Sequence, residues 1–116
     1  MAAAICLTAV GTPFTSSAME NSTKGFEISA YKSGSSNFQK AWKATKTHSA
    51  SGGKLTYGFN TFAINEDISW SYNDTFGHTA ILNRGGTVTS KSGSKYNWAK
   101  LENQHKSNTV TYKSVF

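Results

Sequence analysis

The chain is poor in the residues that would fix it by chemistry rather than by packing. It has one cysteine, Cys6, and one proline, Pro13, both near its start. A lone cysteine builds no disulfide framework, so the domain must be held by its core. Of twelve basic residues only Arg84 is an arginine; the other eleven are lysines. The planar fork of arginine is what reads bases and phosphates in a fixed geometry. Its scarcity argues against sequence-specific binding of nucleic acid. Acids are few as well: Glu20, Glu27, Glu66, Asp67, Asp74 and Glu102. Glu66 and Asp67 adjoin in what reads as a solvated turn, so no pair of carboxylates is expected to face across a cleft.

Catalytic and metal signatures are missing too. His48, His78 and His105 are too widely spaced for a short-spaced metal site, and no second cysteine helps them. There is no nucleophile elbow, phosphate loop or dinucleotide fingerprint. Asp74 and His78 could pair across a tight bend, but a pair without a third member is poor support for catalysis. The expectation is a protein that binds rather than reacts, without metal or cofactor.

No apolar run is long enough to cross a bilayer as a helix. The uncharged stretch at residues 2–12, "AAAICLTAVGT", precedes Pro13 and the small residues Ser16 and Ala18. This is the layout of a secretory signal peptide that lacks its basic start. Residues 1–18 are therefore expected to be a signal-peptide remnant, and residues 19–116 one secreted, extracellular domain.

What the chain does have is Ser, Thr, Gly, Asn and aromatic residues in short alternating runs. Such residues suit pleated strands and turns. Strands are expected at 25–32, 40–49, 54–62, 67–72, 78–82, 87–91, 95–101 and 108–116. "NRGG" at 83–86 reads as a hairpin turn. Residues 33–41 form the one, weak, helix candidate. The fold class expected is all-β: an antiparallel β-sandwich of about seven or eight short strands. The tryptophans at 42, 70 and 98 are evenly spaced, each followed by a histidine. That pattern fits an old duplication, and equally the ordinary rhythm of hairpins.

Seven Phe, five Tyr and three Trp exceed what one small core needs, and the net charge is +6. Some rings should face outward beside lysines, as "KAWK" (40–43) and "KYNWAK" (95–100) suggest. Rings of this kind stack on sugars or settle at a lipid headgroup layer. Lysines are drawn to anionic surfaces in a diffuse way. The candidate ligand-binding residues are Trp42, Lys43, His78, Tyr96, Trp98 and Lys100. The expected partner is an anionic component of a bacterial cell envelope, a wall polymer or lipid-linked precursor, with a membrane surface as a further target. Nucleic acid is not expected.

One family shares some of these features. Over residues 68–116 the chain resembles the lactococcin 972-like bacteriocins. The likeness rests on His78-Thr79-Ala80, the turn "LNRGG", Trp98-Ala99-Lys100 and the final "TVTYKSVF". The literal "KTHSA" lies instead at residues 46–50, and the chain is longer than the family at its start. The resemblance implies a secreted antibacterial β-sandwich that binds envelope precursors without catalysis, as a homodimer. Two other functions fit the same residues. One is a carbohydrate- or wall-binding module with no killing activity. The other is a pore-forming toxin in which the Thr-rich segments refold as a membrane hairpin.

Overall fold

The computed structural model describes residues 25–116. The proposed leader, residues 1–18, lies outside the described residues.

Turn chemistry and period-two alternation place eight strands: β1 (Glu27–Ser33), β2 (Trp42–His48), β3 (Gly53–Asn60), β4 (Glu66–Tyr72), β5 (His78–Arg84), β6 (Thr87–Gly93), β7 (Ala99–Gln104) and β8 (Thr109–Val115). The "NRGG" hairpin is present. Gly85 and Gly86 both take positive φ, 62° and 102°, as a two-residue turn matched to strand twist requires. Arg84 then pairs with Thr87 across it. The helix candidate shrinks to one 3-10 turn, Ser35–Phe38. The strand expected at 95–101 begins later, at Ala99, because Tyr96 sits in the preceding turn at φ 70°.

The strands form two four-stranded antiparallel sheets, in the orders β1-β8-β5-β6 and β2-β3-β4-β7. The all-β sandwich expected from the sequence is the fold observed. Between the sheets lie Ile28, Ala30, Leu55, Tyr57, Phe59, Ala80, Leu82, Leu101, Val110, Tyr112 and Phe116. The Thr-rich segments of β6 and β8 do not form a hairpin, since β5 lies between them. Val110 and Tyr112 of β8 are also fully buried, so removing that strand would dismantle the core.

β4 is built the opposite way from the other core strands. Its register sets Asp67 opposite Phe59, Ser69 opposite Tyr57 and Ser71 opposite Leu55. The bulky partners point into the core, so the small polar residues do too. All three are fully buried. Polar groups are tolerated inside only when bonded. The Ser69 hydroxyl donates to the Lys113 carbonyl at 3.2 Å, and the hydroxyls of Ser71 and Ser114 bond each other. Both bonds tie one sheet to the other. The Asp67 carboxylate lies 2.9 Å from Nδ1 of His105. The solvated turn expected at residues 66–67 is thus corrected: both residues belong to a strand, and Asp67 is a core residue. Asp74 and His78 do not pair either. Asp74 accepts from the Thr75 hydroxyl, whereas His78 lies against backbone carbonyls.

Burial pushes the Asp67 carboxyl above the usual range, against the lowering effects of His105 and Arg84. Burial, with the nearby charges of Asp67 and Tyr57, pushes the Tyr112 phenol well up. For Asp67 the folded chain keeps its proton to higher pH than the unfolded chain does. Its contribution to stability is therefore fully present below about pH 4 and is lost as pH rises through the folded value. Asp67→Asn removes that titration. Thermal unfolding followed from about pH 4 toward neutrality should show a flatter profile for the variant than for the parent. Parallel profiles would show that Asp67 does not carry the slope.

Candidate functional site

The inversion of β4 has a direct result on the other side of the sheet. With Asp67, Ser69 and Ser71 inside, Ile68, Trp70 and Tyr72 lie on the outer side, where neighbouring side chains cover Ile68. They meet residues of the same parity on the neighbouring strands. Trp70 is opposite Lys100 of β7 on one side and Thr56 of β3 on the other, while Lys43 of β2 pairs with Gly58. A continuous surface of rings and ammonium groups results.

Its centre is Trp70. The Nζ atoms of Lys43 and Lys100 lie 4.7 and 4.5 Å from its ring centroid, reaching it from strands on either side of β4. The indole Nε1 donates to Glu102 Oε2 at 2.9 Å, which fixes the ring's orientation. Trp98 meets Trp70 edge-on at 6.4 Å and lies against Tyr72 at 5.0 Å. Lys54 Nζ is 5.8 Å from the Tyr72 ring. Three rings and three lysines thus share one face. Ring quadrupoles, not carboxylates, hold the ammonium groups. Among the described residues none of the three lysines is ion-paired, so their charge stays available to an incoming anion.

Gly58 makes the reach of Lys43 possible. Lys43 must cross β3 to touch Trp70, and its Cγ would lie 2.9 Å from a Cβ at position 58. That Cβ would also collide with the Trp42 carbonyl. A depression on the same face is bordered by Lys43, Asn60, Ile68, Trp70 and Glu102.

The six residues singled out from the sequence separate into three groups. Lys43, Trp98 and Lys100 come together on this face. Tyr96 is 65% exposed in the adjoining turn, its N–H donating to the Asn73 carbonyl at 2.9 Å. Trp42 is half-buried, with Lys32 Nζ 5.4 Å from its ring, and only His78 requires correction. Trp42 borders the depression, but its ring packs inward on Tyr57 and Tyr112, and its Nε1 donates to the Asn37 carbonyl. His78 is fully buried, its ring nitrogens 2.9 and 2.6 Å from the carbonyls of Phe76 and Asn97. It supports the turn that carries Trp98 and offers nothing to a ligand. The three tryptophans occupy unlike places: an inner edge, an outer face and a turn. Their even spacing therefore marks no repeated unit.

Trp70, Tyr72, Lys54 and Glu102 complete the face and lie outside the six candidates. The signal was present in "DISWSY", where small hydrogen-bonding residues alternate with rings. Which set turns inward depends on what the opposite sheet can bond. No protein-family model matches the chain, and neither does any curated protein or solved structure.

Gly58→Ala should destabilise the domain by about 1–3 kcal/mol in urea unfolding, as overpacking does. An unchanged midpoint would show that β2 can withdraw from β3 without loss.

Proposed function

We propose that the protein binds an anionic polymer of a bacterial cell envelope through the outer face of the β2-β3-β4-β7 sheet, and acts by binding, not catalysis. One observation carries this reading: Trp70, held by Glu102, pins the ammonium groups of Lys43 and Lys100 while leaving their charge unpaired. Pinned lysines lose less side-chain freedom when an anion arrives, which lowers the cost of binding. Trp98, 38% exposed and adjoining Tyr72, supplies an apolar platform beside them. Sugar rings stack on such platforms, and phosphate or carboxylate groups along the same polymer meet the lysines. A sugar–anion repeat therefore matches both halves of the face. Export of the domain and a homodimeric state belong to the same proposal.

An antibacterial outcome rests on the resemblance to the lactococcin 972-like proteins. A wall-binding module without killing activity would use the same face. A zone of growth inhibition on a susceptible lawn separates the two.

The binding itself is tested with isolated, phosphate-rich cell walls. A Lys43→Ala/Lys100→Ala variant should bind about tenfold or more weakly, at roughly 1 kcal/mol per lysine near an anionic surface. Added salt should weaken the parent more than the variant. Equal binding by parent and variant, or binding indifferent to salt, would remove the face from consideration.

A further inference from the structure

The β3–β4 connection, residues 61–65 ("TFAIN"), presents apolar side chains where a turn normally presents polar ones. Phe62 is 87% exposed and Ile64 50% exposed. Hydrogen bonds hold this display in place. The Phe62 N–H donates to Asn60 Oδ1 at 3.3 Å, and the Ile64 N–H donates to the Phe62 carbonyl at 2.7 Å. The His105 N–H donates to the Asn65 carbonyl at 2.8 Å. Between the two apolar residues Ala63 sits at φ 65°, a conformation rarely adopted by residues other than glycine. The backbone is thus held in an unfavourable shape while two large apolar side chains remain in water.

The surroundings of the tip are basic. Lys40 lies just before β2, whose Trp42 pairs with Phe59 at this end of the sheet. Lys106 follows His105, which bonds the loop itself. Both lysines are exposed. Of the acids at this end, Asp67 is buried on His105, and Glu66, half-buried and accepting from the uncharged Asn60 amide at 3.4 Å, is outnumbered by the two lysines. An apolar point flanked by free cations results.

We propose that this tip is a membrane anchor: Phe62 and Ile64 enter the interface of an anionic bilayer while Lys40 and Lys106 meet its headgroups. A bilayer fits the shape better than a protein does. The tip is only two side chains wide, well below the area of a specific protein interface, and a lipid surface needs no matching pocket. Two apolar side chains alone bind weakly and reversibly, so anionic lipid and the lysines supply the remainder. The anchor uses none of the lysines or rings of the polymer-binding face, and either can fail without the other.

The test is cosedimentation of the full chain with vesicles of equal parts phosphatidylcholine and phosphatidylglycerol. The parent should bind, and Phe62→Ser/Ile64→Ser should bind about tenfold or more weakly while still folding, since both side chains are exposed. Vesicles of phosphatidylcholine alone should bind the parent less well. A Phe62→Trp variant should gain emission that brominated acyl chains quench. Equal binding by parent and double variant would overturn the proposal. So would added emission from the Phe62→Trp variant that the brominated lipid leaves untouched. It would also be overturned if sedimentation velocity showed a dimer of the parent that the double variant cannot form, because the tip would then serve a second copy. Wall binding by the double variant, unchanged from the parent, keeps this result separate from the function proposed above.

Discussion

Hydrogen bonds between small polar side chains and the facing sheet are the constraint on which this structure depends. Ser69 and Ser71 are buried opposite Tyr57 and Leu55, and each bonds across to β8. Core volume explains the choice. Tyr57, Phe59, Leu55 and Tyr112 already fill the space between the sheets, and interiors are close-packed. A strand beside β3 carrying a Trp and a Tyr inward would overfill it. Serines fit, provided that each hydroxyl is bonded, and the facing strand β8 provides the partners.

The arrangement of the outer face follows from that interior choice. Because β4 turns its serines in, it turns Trp70 and Tyr72 out, where no second layer covers them among the described residues. The neighbouring strands then supply lysines rather than more apolar surface. Each Lys stem can lie along the sheet while its head rests at a ring, so charge and apolar area share one face. Gly58 belongs to the same solution, since any side chain there would block Lys43. The interior and the surface are two sides of one strand register.

The proposed anchor and the proposed polymer site are related through the same strand. β4 ends the TFAIN loop and begins the aromatic face, so loop and face lie on one continuous sheet. A protein that settles on a membrane by Phe62 and Ile64 would keep its lysine–aromatic face beside the envelope layer just outside the lipid. The buried Asp67–His105 pair lies beneath this end and bonds the β7–β8 connection to the start of β4. Its position makes it part of the rigid base from which the loop projects.

Much of the fold is written in local pattern. Alternation, Gly-Gly at 85–86 and clusters of Ser and Asn mark the strands and turns, because a period of two and a positive φ are properties of a few neighbouring residues. Composition likewise determined that the surface would be basic and rich in rings. Local pattern could not say which side of "DISWSY" faces inward, since rings and hydrogen-bonding serines can each be buried at acceptable cost. It also could not show that His78 is committed to the interior, or that Asp67 leaves water for His105. Those outcomes depend on partners roughly 20 to 45 positions away in the chain, brought near only when two sheets stack. The sequence alone determined a lysine- and ring-bearing β-protein; the stacking of its sheets decided which rings meet which lysines.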